Sequence, residues 1–425
     1  MLERPSGILC DEMGLGKTIQ LLGLICTEKK KNTLLIAPLA VLQQWAATGT
    51  KARINCWTIE KGEWEVPAVV RLKQTHLFLV NYETAVRRSD LFHGRVWDRV
   101  ICDEAHRLAN KKGASWIRVE SIPTASRWLL TATPIVNALS DLQALLSLCG
   151  KVYSEEKLSE VILCRTMDQL RATIPELPNR AVQMEHILDF KTEKETEFYR
   201  GIQGLLVSRW RRLRGDGDAA LEKLQIIMRL RQISLHPQVY IEGRKKTAAG
   251  LGLTYEREDW IDPSTKFSAA RDLIEKEKPR RWILFCHFHK EMELLKEYLS
   301  YSDSIGSVWT YNGAMSQKER DCVLADTHKP LNGKHQVLLC QLQSGGVGIN
   351  LQHFSRIIFS GPWWTSALME QAIGRAVRIG QKEQVVVHHL ILKEEQGMNI
   401  DRLMKSKAET KGKLCQQILA AAAHG

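Results

Sequence analysis

The chain has 425 residues, 44% of them hydrophobic and 25% charged, the balance of an ordinary globular protein built from two or three compact units. That balance excludes a collagen, a disordered tail and a bridge-held mini-protein, and no apolar run approaches the ~20 residues that a bilayer span needs. Lys and Arg number 60 against 48 Asp and Glu, a net charge of +12. Such an excess favours a polyanionic partner such as nucleic acid, although a soluble protein can simply be basic.

The N-terminus Met1-Leu2-Glu3-Arg4-Pro5-Ser6 lacks a basic segment followed by an apolar core, so no secretory leader is expected. Next comes the strongest local signal. Apolar Ile8-Leu9-Cys10 leads into Asp11-Glu12-Met13-Gly14-Leu15-Gly16-Lys17-Thr18, and an apolar helical run from Thr18 to Cys26 follows. Strand, glycine loop and helix start in this order suit phosphate, because loop and helix N–H groups point at the anion and the helix dipole favours it. Lys17 is then placed to reach the β- and γ-phosphates of a nucleotide, and the Thr18 hydroxyl to hold Mg²⁺. The strict phosphate-loop pattern asks for glycine where Asp11 stands.

Short apolar runs continue the pattern at Thr33–Ala37, His76–Val80, Arg99–Cys102 and Trp128–Thr131, with a helical stretch at Val41–Trp45. Each reads as a strand buried on both faces of a parallel sheet. At the end of the third stands Asp103-Glu104-Ala105-His106. Beside a phosphate loop, Asp103 is expected to hold Mg²⁺ and Glu104 to orient the attacking water. From Lys151 to Lys266 the pattern turns helical and more charged, with the basic cluster Trp210 to Arg214 and a predicted surface loop from Gly243 to Pro263. A second set of buried strands follows at Trp282–Cys286, Val308–Tyr311, Val337–Cys340, Ile357–Ser360 and Val385–Leu390. In Gln371-Ala372-Ile373-Gly374-Arg375-Ala376-Val377-Arg378, a helix puts Gln371, Arg375 and Arg378 on one face, where two guanidiniums can meet a γ-phosphate across a cleft. The alanine-rich end from Leu419 is expected to fray.

The reading is therefore α/β: two lobes with parallel sheets joined by a helical middle. Its boundaries are 1–150, 151–265, 266–400 and a tail at 401–425. The ten cysteines are scattered with no C-x-x-C pair, which argues against zinc and against a disulfide framework and fits a reducing compartment. His388 and His389, on a predicted strand, read as packing residues, and His287 and His289 have no nearby Cys or acid partner with which to form a metal site.

Taken in order, these segments resemble the Swi/Snf-type ATPases of helicase superfamily two. DEMGLGKT (11–18) looks like motif I, and Leu35 to Leu42 followed by Trp45 like motif Ia. Val80-Asn81-Tyr82-Glu83 matches a further lobe-one motif, DEAH (103–106) is motif II, and Leu130 to Pro134 followed by Asn137 is similar to motif III. Cys164-Arg165-Thr166 with Leu177-Pro178, and Leu230-Arg231 with His236-Pro237, are similar to the inter-lobe segment. Ile283-Leu284-Phe285, Ser344 to Gln352, and Gln371 to Gln381 look like motifs IV, V and VI.

The resemblance implies two RecA-like lobes with ATP and Mg²⁺ in the cleft between them, and arginine fingers at Arg375 and Arg378. Thr131 and Thr133 would couple nucleotide state to lobe movement. It also implies tracking on double-stranded DNA in the nucleus, to remodel nucleosomes or displace bound proteins, with DNA repair among the settings. The alternatives are a strand-separating DNA or RNA helicase and a nucleic-acid-binding module that turns over little ATP. The family usually carries an adenine-contacting glutamine motif upstream of motif I, and only ten residues precede Asp11, so that element is expected to be missing. The family's Lys-Asn after motif II is Ala109-Asn110 here, and its Asn-Pro after Trp364 is Thr365-Ser366. The short stretch from Asn137 to Arg165 implies a reduced lobe-one protrusion. No cysteine lies between Cys164 and Cys286, which excludes a cysteine-rich RING insert there.

Overall fold

The structure is a computed structural model that describes residues 1, 4–28, 32–60, 63–64, 75–92, 97–154, 157–213, 219–345, 349–393 and 399–424. Lys29 to Lys31, Arg214 to Asp218 and the motif V residues Gly346 to Gly348 lie outside the described residues.

Lobe one is a sheet of β1 (Gly7–Leu9), β2 (Asn32–Ala37), β3 (Asn55–Glu60), β4 (Glu63–Trp64), β5 (His76–Asn81), β6 (Arg99–Asp103), β7 (Arg127–Leu130) and β8 (Ile162–Leu163). Their order is β4-β3-β5-β2-β6-β7-β1-β8. All pairings are parallel except that of the short β4 with β3. Lobe two orders its strands β11-β12-β10-β13-β14-β9, all parallel. They are β9 (Val182–Leu188), β10 (Arg281–Cys286), β11 (Ile305–Tyr311), β12 (His335–Gln341), β13 (Arg356–Phe359) and β14 (Val386–Leu392).

The central strands are continuously apolar because helices cover both faces. Ile8, Leu34, Ile36, Val100 and Leu129 pack in one lobe-one cluster, while Leu9, Leu35, Ile101 and Leu130 pack in another on the opposite face. Each such side chain contributes about 1.5–3 kcal/mol by leaving water. The chain thus forms two RecA-like lobes. Lobe one presents the C-terminal ends of its strands to the cleft, where α/β folds bind ligands, and lobe two meets it with the turn after the helix Ser366–Ile373, beside the start of β13.

Four features differ from the sequence expectations. β8 and β9 lie in the stretch read as a helical middle, yet each joins a sheet, through β1 and β14 respectively. β9 is an edge strand with a mixed polar sequence, VQMEHIL, so it lacks the apolar run that marks a buried strand.

The predicted surface loop from Gly243 to Pro263 begins later than expected: its first eight residues are the second half of a helix, Pro237–Gly250, and residues 251–263 form neither helix nor strand. His236 caps it by accepting from the Gln238 N–H at 3.0 Å, and Pro237 occupies the first turn, where a missing N–H costs nothing. A Cβ on Gly243 would meet the side-chain ends of Arg229 and Gln232 from the preceding helix, so this glycine faces a neighbouring helix and not a turn.

The helix expected over Gln371 to Arg378 ends at Ile373, with Gly374 as its C-cap. Arg375 and Arg378 therefore sit on the turn that follows, and not on a continuous helix face.

The expected frayed tail is a helix, Ile400–His424. Ile400 and Met404 pack with the middle helices, whereas Cys415, Ile418 and Ala422 enter the lobe-one core. Gly412 lets this helix pass Ser366, whose Oγ would be 2.8 Å from a Cβ there. Its start is held by a buried Lys266–Asp401 pair at 2.6 Å. Alanine richness signals fraying only where no face is buried.

Candidate active site

The loop Asp11 to Gly16 is set between a buried strand and the helix Lys17–Thr27. Gly14 and Gly16 have φ of 88° and 74°, a left-handed backbone that glycine adopts without a Cβ penalty. A Cβ on Gly14 would also lie 2.9 Å from the Val377 carbonyl of lobe two. The helix that follows has no acid in its first turn and no side-chain cap, so its N-terminal donors are not claimed by a carboxylate of its own.

A cavity of about 270 Å³ opens there. It is lined from lobe one by Met13, Gly14, Gly16, Lys17, Thr18, Asp103 and Glu104, and from lobe two by Gln371, Arg375 and Arg378. Both lobes are needed to build it. The other three residues of the loop serve the frame. Asp11 is wholly buried and accepts from Arg165 Nη2 at 2.5 Å and from Gln20 Nε2 at 2.9 Å. Glu12 accepts from the Met167 N–H at 2.7 Å, and Leu15 packs in the lobe-two core. Asp11, Glu12 and Leu15 thus do not line the cavity, although the sequence grouped them with the nucleotide-contacting residues.

Lys17 donates to the Asp11 carbonyl at 2.7 Å. Burial pushes its ammonium below the ordinary lysine range, while the Glu104, Asp103 and Asp11 carboxylates oppose that shift. Burial, then the neighbouring Glu104, push the Asp103 carboxyl up to about 6. Glu104 adopts φ 50°, an uncommon backbone for a non-glycine residue and one that clusters at functional sites.

Glu104 meets lobe two directly. Its carboxylate lies 3.7 Å from Arg375 Nη2 and accepts from Gln371 Nε2 at 3.3 Å. Burial brings Arg378 down to about 10 and lowers Arg375, yet both stay cationic near neutrality. The turn that carries them is anchored by Gln381, whose Nε2 donates to the Gln352, Phe354 and Ala376 carbonyls at 2.8, 3.0 and 3.2 Å. Thr131 and Thr133 are buried behind the cavity, with the Thr133 N–H donating to Thr131 Oγ1 at 3.1 Å.

Two contacts were missed by reasoning from sequence. The Trp45 indole donates to Asp103 Oδ2 at 2.8 Å, and the Tyr82 hydroxyl donates to the Asp103 carbonyl at 2.8 Å. Both residues were visible in motifs, but they sit on the helices that follow β2 and β5, and only the sheet order β5-β2-β6 brings those helices to the end of β6.

Comparison with known proteins finds two family matches along the chain. Residues 2–155 match the SNF2-related domain model, and residues 265–380 match the helicase conserved C-terminal domain model. The chain belongs to the SNF2-type family of helicase-like ATPases. Between the two matches lie β8, β9 and the helical middle, and after them come β14 and the terminal helix.

Among curated relatives, the ISWI chromatin-remodeling complex ATPase ISW2 of Saccharomyces cerevisiae is 26% identical over 422 residues, 91% of this chain and 37% of the yeast protein. A probable global transactivator of Orgyia pseudotsugata multicapsid polyhedrosis virus is 27% identical over 447 residues, 96% of this chain and 86% of the viral protein. The chain thus spans little more than a third of the yeast relative and most of the viral one. A solved SWI2/SNF2 ATPase core of Sulfolobus solfataricus in complex with dsDNA matches 98% of this chain and 92% of its own, at 21% identity and a TM-score of 0.40.

Proposed function

We propose that this SNF2-type chain is an ATP hydrolase stimulated by double-stranded DNA, moving along the duplex to remodel chromatin or displace bound proteins in the nucleus. The observation that carries the reading is the approach of Arg375 to Glu104 across the cleft, at 3.7 Å. An arginine from one lobe and a water-directing carboxylate from the other define a site that is complete only when the lobes are together.

The residues fit the groups they would hold. The left-handed glycine backbone leaves room for the phosphates, and Lys17 would exchange its carbonyl partners for phosphate oxygens. Thr18 and the half-buried Asp103 carboxylate supply the oxygen donors that Mg²⁺ prefers. When bound, Mg²⁺ supplies positive charge beside the phosphate oxygens. Glu104 orients the attacking water by accepting its hydrogen bond. Arg375 and Arg378 stabilise negative charge on the γ-phosphoryl oxygens as it develops, which is where electrostatic preorganisation contributes most.

The DNA part of the reading is supported by the net charge of +12 and by relatives named as chromatin-remodelling complex ATPases. The test is ATP hydrolysis with double-stranded DNA, single-stranded DNA or RNA, beside a strand-displacement assay on a tailed duplex. Stimulation by duplex DNA without displacement is expected. Stimulation by single strands together with displacement would overturn the reading in favour of a strand-separating helicase.

A further inference from the structure

The aspartate at the end of β6 is gripped from three directions. The Glu104 N–H donates to its Oδ1 at 2.8 Å, the Trp45 indole to its Oδ2 at 2.8 Å, and the Tyr82 hydroxyl to its backbone carbonyl. One donor on each carboxylate oxygen fixes the rotamer and still leaves a lone pair on each. The indole is a donor only, so the contact cannot invert. Trp45 is 1% exposed and packs in the lobe-one core with Leu35, Leu79 and Ile101. Its position is set by packing, and its N–H is the polar handle that reaches the cavity wall, where both Trp45 and Asp103 are lining residues.

We propose that Trp45 is a positioning residue for magnesium, its indole N–H holding the Asp103 carboxylate in the single orientation that receives the ion. The inference rests on the ATPase reading above. Outer-sphere partners of this kind orient the ligating group, and their loss typically costs about 10- to 100-fold in metal affinity. Tyr82 acts on the same residue through the main chain and so fixes the strand end, not the carboxylate.

The test uses Trp45→Phe in the full chain, which keeps an aromatic ring in the core and removes the donor. The Mg²⁺ concentration giving half-maximal ATP turnover should rise about 10- to 100-fold, with turnover recovered at saturating Mg²⁺. A purely structural role would lower turnover in a way that Mg²⁺ does not restore, and that result overturns the proposal, as does an unchanged Mg²⁺ midpoint.

A second readout needs no catalysis. The ¹⁵N indole resonance of Trp45, assigned in the unsubstituted chain by through-bond correlation to its own backbone, should move in Asp103→Asn and move again when Mg²⁺ with ADP is added to the unsubstituted chain. An indole signal indifferent to both overturns the proposal even if the substituted chain fails to fold. If the unsubstituted chain hydrolyses no ATP, the ATPase reading fails by itself, and the indole response still decides the role of Trp45.

Discussion

The two lobes solve the same local problem in opposite ways. In each, a buried parallel strand turns into a helix whose first N–H groups need acceptors. In lobe two, β10 runs into the helix His289–Ser300, and Glu291 folds back to accept from the His287 and Phe288 N–H groups at 2.7 and 3.1 Å. Glu291 is wholly buried. In lobe one, β1 runs into the helix Lys17–Thr27, and the matching third position is Ile19, 68% exposed. Lobe two therefore carries its own anion, and lobe one leaves the place open for one. In the proposed reading the open place in lobe one takes phosphate, where a glycine loop replaces the short turn of lobe two and no carboxylate stands at the third helical position.

The comparison can be broken at either end. The largest effect is expected at Lys17. Lys17→Ala removes the cation at the open site and should lower ATP turnover by at least about 1,000-fold, a transition-state loss of about 4 kcal/mol, read by phosphate release. Next is Glu291→Ala, which leaves buried donors unsatisfied in lobe two. It should cost about 1–3 kcal/mol of stability, seen as a lower melting temperature, with Glu291→Gln milder.

Ile418→Ala tests how the terminal helix holds lobe one. Removing a buried aliphatic side chain should cost about 2 kcal/mol, read by thermal melting, while a surface change on the same helix should cost almost nothing. Ile19→Glu would give lobe one the carboxylate that lobe two has. It should raise the KM for ATP about tenfold, equivalent to about 1.4 kcal/mol, without lowering the melting temperature.

The smallest effect is with pH. Burial holds His236 and His388 down to about 4 and takes His287 well below its usual range. In the unfolded chain these imidazoles take up protons near pH 6.5, so between about pH 6.5 and 4 the unfolded state binds more protons and stability falls as pH falls. Glu195 and Glu291, raised by burial, act in the opposite sense, their contribution being lost as pH rises above their unfolded range. Melting should therefore be lower at pH 5 than at pH 7, because the three histidines outweigh the two glutamates.

Much of this was legible before any coordinates. The P-loop, the acids after β6 and the arginines of the second lobe each occupy a short stretch whose chemistry is local: glycines for a left-handed loop, adjacent acids at a strand end, paired guanidiniums. Composition and runs of four to six apolar residues disclosed the central strands for the same reason. What stayed hidden depends on distant partners. β9 has no apolar run because it sits at a sheet edge. The terminal helix looks like a tail until Cys415, Ile418 and Ala422 find the lobe-one core. The structural duty of Asp11 needs Arg165, 154 positions away, and the hold of Trp45 on Asp103 spans 58.

The central claim is that the catalytic site is shared between the lobes. Its most direct test is nucleotide binding and ATP turnover measured side by side in the unsubstituted chain, Arg375→Ala and Arg378→Ala, with double-stranded DNA present. The account predicts binding within about threefold of the unsubstituted chain and turnover lower by roughly 1,000-fold or more, the scale of arginine-finger loss. Turnover at the unsubstituted rate in both variants would contradict it and confine the chemistry to lobe one.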